Sequence, residues 1–194
     1  MKLRYDRLKE LAREKSVSRE QLAAAIVRPG LNEEDALRAV TNWSAGRDHP
    51  RCRATDIAKL AAALGVETRE LARFVSEVRH HRGSPRKARL LADLIRGKSV
   101  EKALNLLGFS TKRAAVNMRK CLSAAIAEAQ TVEADEGKLV VSISTVDDGP
   151  VMKRFQPKDR GRAHSILKRF SHITVGVEER SAKKKSRKPG AKAS

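Results

Sequence analysis

Seven Lys or Arg side chains and one acid, Asp159, share the eighteen residues KRFQPKDRGRAHSILKRF, 153–170. Cations at that density hold phosphate or another polyanion. Groups suited to catalysis are sparse by comparison. The five histidines (His49, His80, His81, His164 and His172) stand in no recognisable arrangement with a nucleophile, and no phosphate-cradling glycine loop occurs. HPRC at 49–52 could lend two metal ligands and His80–His81 two more, but structural sites need further cysteines at close spacing. The chain has only Cys52 and Cys121, far apart and without a CxxC pair. The expectation is no enzyme, no metal and no cofactor.

The whole chain carries the same sign. Its 194 residues have a formal net charge of +19. An excess of that size calls for nucleic acid or an anionic membrane as partner. No apolar run approaches the roughly 20 residues of a membrane span. The opening MKLRYDRLKELAREK is charged throughout, so neither a secretory signal nor a membrane partner is expected. Nucleic acid is favoured. Few cysteines suit a reducing, cytoplasmic setting. Aromatics are 3% of residues, which disfavours base stacking and favours phosphate contact and shape.

Charge divides the chain. Residues 1–76 have a net charge of +4 and residues 77–194 of +15, with a seam near SEVRHHRGSP. The first part reads as five short helices. Leu8, Leu11 and Ala12 mark the first; Ser18 and Gln21 form a capping box for the second, which faces Leu22, Ala23 and Ile26 inward. A third runs from about Glu33 to Trp43. The fourth carries Ile57, Leu60, Ala61 and Leu64 and stops at Gly65, and ETRELARFV makes a fifth.

The second part begins with three helices. Ser84 and Pro85 start one with Leu90, Leu91, Leu94 and Ile95, Ser99 caps the next, and Ser110 caps a long one bearing Met118, Cys121, Leu122 and Ala125. The opposite side of this last helix shows Lys112, Arg113, Arg119 and Lys120. Two strands follow, with Leu139, Val141 and Ile143 alternating in one and Ile173, Val175 and Val177 in the other. Pairing Val141 with Val175 puts the turn near residue 158, inside the basic segment. Each arm then spans roughly 40 Å, against a body radius of about 13 Å. The ribbon must project. Pro150 predicts a bulge or bend in it. The competing turn, DDGP at 147–150, leaves the strand-forming Val151, Phe155, Ile166 and Phe170 unused. An isolated two-stranded ribbon is marginal in water, and seven cations repel one another, so an enclosing polyanion is required. RNA folded around a finger supplies that enclosure. Duplex DNA does not.

LKELAREKSVSREQLAAAI, TNWSAGRD and DIAKLAAALGVETREL resemble the Cro/repressor-like helix-turn-helix domain over residues 3–74. In that family the second and third helices read DNA. Here VRPGLNEEDALRAV lengthens the turn, and Glu33, Glu34 and Asp35 at the start of the third helix repel phosphates. A docking or peripheral RNA-contacting role is the expectation for this part.

RGSPRKARLLADLIRGKSVEKALNLLGFSTKRAA and VDDGPVMKRFQPKDRGRAHSILKRFSHITVGVEE resemble the bacterial-type family of large-subunit ribosomal protein twenty-two over residues 78–179. The resemblance implies a body on the outer rRNA surface, bound early in assembly, and a long hairpin whose tip lines the nascent-peptide exit tunnel. It implies rRNA contacts by Arg82, Ser84, Arg86, Lys87 and Arg89, with Arg96, Lys112 and Arg113 as further candidates. On the finger and its returning strand it points to Lys153, Arg154, Lys158, Arg160, Arg162, Lys168, Arg169 and His172. Gln156, Pro157, Lys158, Asp159, Arg160 and Gly161 make the tip. Asp159 and His164 depart from the family pattern.

The expected fold is therefore α+β. Helices pack on a small antiparallel sheet with a protruding hairpin at about 144–172, preceded by an all-α unit (1–76) and followed by a disordered basic tail (180–194). Expected partners are large-subunit rRNA, neighbouring ribosomal proteins and the nascent peptide, with no homo-oligomer. Removal of residues 1–76 is expected to leave incorporation largely intact. The competing reading is a DNA-binding transcription regulator, which leaves the finger without a purpose.

Overall fold

The computed structural model describes residues 1–180, and the expected basic tail beyond Arg180 lies outside them. A short strand β1 (Lys2–Leu3) precedes α1 (Tyr5–Glu14), α2 (Arg19–Ile26), α3 (Glu33–Ser44), α4 (Ala54–Leu64) and the single turn α5 (Thr68–Leu71). The capping box forms as expected: Gln21 N–H donates to Ser18 Oγ at 3.2 Å and Ser18 N–H to Gln21 Oε1 at 3.0 Å. Gly65, at φ 56°, ends α4 in the left-handed region that glycine tolerates. Leu8, Leu22, Ile26, Trp43, Ile57 and Leu60 make the buried side of this bundle.

One buried charge ties its loops together. Asp56, fully buried in the first turn of α4, accepts the Arg53 N–H at 3.0 Å and lies 3.0 Å from Arg28 Nη1. It thereby fixes both the α2–α3 connection and the α3–α4 loop. Removing one partner strands the other charge away from water, so Asp56→Ala is expected to lower stability by about 3–5 kcal/mol. Urea denaturation checks this, and a loss below about 1 kcal/mol would refute the anchoring role.

The fifth helix expected over ETRELARFV is corrected. It stops at Leu71, and β2 (Ala72–His81) follows. Tertiary pairing decides the outcome. Leu3 and Lys2 of β1 lie opposite Ala72 and Arg73, while Phe74–Val78 lie opposite Val177–Ile173. β2 thus runs through the 76/77 seam.

Three helices, α6 (Pro85–Ile95), α7 (Val100–Gly108) and α8 (Arg113–Gln130), come next. The start of α8 also differs from expectation. Its N-cap is Lys112, whose N–H reaches Ser110 Oγ at 3.5 Å, so the serine stands just ahead of the cap. β3 (Leu139–Pro157) and β4 (Ala163–Glu179) complete an antiparallel sheet of order β1-β2-β4-β3. α6 packs on β3, and α8 on β2 and β4. The buried apolar side chains of both parts of the chain form one cluster.

The hairpin register is corrected by two residues at its root. Val141 pairs with Val177 and Ser144 with Val175; after a second slip Val151 pairs with Arg169 and Pro157 with Ala163. Irregularities between Val141 and Ile143 and between Asp148 and Val151 each shift the pairing. The second meets the expectation at Pro150, and strand pairing beyond it disposes of a turn at DDGP. Gly149 sits at this neck. A Cβ there would lie 3.1 Å from the backbone C and O of Phe170, so a side chain at this position would push the two strands apart by a few tenths of an ångström.

Candidate nucleic-acid interface

Burial on the hairpin ends at Val146 on β3 and Ser171 on β4. From Asp147 to Pro157 the free arm spans roughly 35 Å at strand rise. Its rungs follow a rule. Arg169 faces Val151, Lys168 faces Met152, Lys153 faces Leu167 and Arg154 faces Ile166. Each of these four rungs pairs one cation with one apolar side chain, and like charges directly opposite one another, which destabilise a sheet, are avoided. Both faces of the ribbon therefore carry positive charge. At the tip, Lys158 N–H donates to the Arg162 carbonyl at 2.7 Å. Arg160 and Gly161 turn the chain at φ 58° and 69°. Lys158, Asp159, Arg160 and Arg162 are all exposed there, while His164 lies opposite Gln156.

The root is braced from α6. Arg89 Nε donates to the Val146 carbonyl at 3.1 Å and its Nη2 to Asp148 Oδ1 at 3.2 Å. Arg96 Nη2 donates to the Ser144 carbonyl at 2.6 Å. The α6–α7 turn adds a backbone pair, Gly97 N–H to Val141 O and Val141 N–H to Lys98 O, both 2.9 Å. These bonds occupy the outer edge of β3 from Val141 to Asp148, an edge that would otherwise invite pairing. Arg89 and Arg96, candidate rRNA contacts by sequence, hold the finger in place.

The other basic candidates gather around two helix starts. Arg86 and Lys87 lie in the first turn of α6, after Ser84 and Pro85, and Lys112 and Arg113 at the start of α8; neither first turn has an acid. Cations at a helix N-terminus oppose the helix dipole unless an anion joins them. The two starts are neighbours. Buried His81, just before Arg82, lies 2.7 Å through Nδ1 from Asn117 Nδ2 on α8. His80 and His172 meet edge to face at 4.9 Å, and the His80 N–H donates to His172 Nδ1 at 3.2 Å. Half-buried His172 thus joins β2 to the hairpin root. Sequence reasoning weighs His81 only as a metal ligand and does not find its partnership with Asn117, which spans 36 positions and which only the fold creates.

Burial, and after it the charge of Arg113, pulls His81 below the ordinary imidazole value. The unfolded imidazole takes a proton near pH 6.5 and the folded one resists it, so this contribution is present above 6.5 and lost as pH falls. The maximum slope is about 1.4 kcal/mol per pH unit. Denaturation at pH 7.5 and 5.5 should show a smaller acid loss in His81→Gln than in the parent, and equal losses would count against it.

In the other loop Cys52 is a buried thiol, pushed up to about 12 by burial first and then by Asp56 and Asp48. Among the described residues no group of three His, Cys, Asp or Glu converges as metal ligands, and no helix is long and apolar enough to cross a membrane.

A family model described as Ribosomal protein L22p/L17e matches residues 76–178, more than half of the chain. The chain belongs to this family. Membership of the L22p/L17e family makes it a structural, rRNA-binding protein of the large ribosomal subunit, set among other ribosomal proteins. The matched stretch takes in most of β2, the three helices and the whole hairpin. Residues 1–75 lie outside the match.

Proposed function

We propose that the hairpin of this L22p/L17e protein enters the large subunit and reaches the nascent-peptide exit tunnel, with Gln156–Gly161 as part of the tunnel wall. The starts of α6 and α8 grip rRNA from the outer surface early in assembly. One observation carries this reading: no residue from Asp147 to Phe170 is buried by its own chain. A cationic ribbon of that length is stabilised by what surrounds it, and rRNA neutralises both of its faces.

The N-terminal helical unit serves as a docking or peripheral RNA-contacting module. Exposed Glu33, Glu34 and Asp35 in the first turn of α3 oppose DNA reading. The protein acts as a single copy in each cytoplasmic ribosome.

A photo-crosslinking residue at Asp159, carried by the full chain into ribosomes stalled during synthesis, tests the hairpin's place. Crosslinks to rRNA and to the nascent peptide are expected. Crosslinks confined to outer-surface proteins would overturn the tunnel reading. Sedimentation of a lysate separates the regulator alternative. The main pool should travel with the large subunit at moderately high salt, whereas a main pool on chromosomal DNA would favour a regulator.

A further inference from the structure

A second basic feature lies at the end of the sheet away from the hairpin tip. A half-open cleft of about 500 Å³ is lined by Arg4, Lys98, Ser99, Lys102, Glu178 and Arg180. It draws on the segment after β1, the α6–α7 turn, the first turn of α7 and the last residues of β4. One wall comes from the N-terminal extension. Arg4 is fixed there because its N–H donates to Leu71 O at 2.8 Å and its Nη1 to the carbonyls of Glu70 and Glu179 at 3.1 and 3.0 Å.

The charge in the cleft is unbalanced. Its single carboxylate, Glu178, is shared between Arg4 at 3.4 Å and Arg73 at 3.0 Å. Lys98, Lys102 and Arg180 form no ion pair among the described residues. Ser99, the N-cap of α7, makes no capping bond with its side chain, which leaves the hydroxyl available. Glu101, in the first turn of α7, is exposed and does not line the cleft. Three cations, a hydroxyl and a helix start facing one opening suit a tetrahedral anion.

We propose that this cleft binds a backbone phosphate of the large-subunit rRNA, with Lys98, Lys102 and Arg180 as its cations. The proposal rests on the family's rRNA-binding role and adds a site at the junction with the extension. Arg4 supplies the wall and takes up the charge of Glu178, so the extension helps to form an RNA contact without reading sequence. Measured along β4, the cleft lies roughly 50 Å from the hairpin tip. The protein therefore grips rRNA at both ends of β4.

The test measures affinity of the full chain for protein-free large-subunit rRNA between 50 and 200 mM salt. Lys98→Gln with Lys102→Gln should reduce the slope of log affinity against log salt by about 1.4–1.8 and weaken binding near physiological salt by about 10–30-fold. Adding Arg180→Gln should take a further 0.7–0.9 or so from the slope. Circular dichroism of the variants should match the parent. A slope equal to the parent's overturns the proposal, including the case where incorporation into particles falls, since that result assigns the cleft to a protein neighbour. Failure of the parent itself to bind rRNA would instead strike the family reading.

Discussion

Replacing Lys153, Arg154, Lys168 and Arg169 together by Gln is expected to weaken binding to protein-free large-subunit rRNA by about 10²–10³-fold near physiological salt. All four side chains are exposed, and each shares its rung with an apolar partner that the substitutions leave in place. The strand ladder is untouched, because its bonds are made by the backbone. What disappears is the release of counterions as each cation meets a phosphate, so the salt slope should fall by roughly 2.8–3.6. The same variant should unfold like the parent, since cation removal costs the free protein no buried contact. An unchanged slope would show that the ribbon lies away from phosphates and would sink the enclosed-finger reading. A lowered slope with normal folding separates a binding defect from a folding defect.

The second large effect is expected from removing residues 1–71. A cut there keeps β2 whole, yet the remaining chain should lose its cooperative thermal transition. Several losses coincide. Leu3, 1% exposed, no longer covers the edge of β2 opposite Ala72. Arg4 no longer ties the carbonyls of Glu70 and Glu179, nor pairs with Glu178. Arg69, which donates to Glu133 O at 2.8 Å and lies 3.6 Å from Glu179, goes as well. The buried cluster is continuous across the cut, and a typical domain has only about 5–15 kcal/mol to lose. Leu3→Ala in the full chain isolates the first of these terms and should cost about 2–5 kcal/mol. A truncated chain that melts sharply, near the parent's temperature, would refute the idea that the extension is welded in. A cut after residue 76 is harsher still, because it also removes Ala72–Ser76 from β2. Incorporation is therefore expected to suffer from the deletion that the sequence had marked as harmless.

The sequence made the finger legible because its signal was large: two alternating strands leading to a basic segment that no apolar surface could cover. Its register was not legible. Pairing by number places Val141 opposite Val175 and assumes an unbroken ladder; the actual Val141–Val177 pair and the slips beside Ser142 and Gly149 together move the turn from 158 to the Lys158–Arg162 loop. β2 was hidden for a different reason. ETREL starts as a helix, and RFVSEV takes strand form because β1 and β4 lie on either side of it. At the candidate site, residue type picks out the cations, but type does not reveal allegiance. Arg89 and Arg96 are committed to carbonyls of β3, 57 and 48 positions away. His172 is committed to His80, 92 positions away. Those contacts exist only once the sheet is assembled.

The close approach at Gly149 makes the ribbon a lever with a short fulcrum. With an arm of roughly 35 Å, a tilt of about 10° at that point swings the far end by roughly 6 Å, more than the spacing between adjacent strands. The position of the tip is thus set far from it, by how closely two strands approach at the neck.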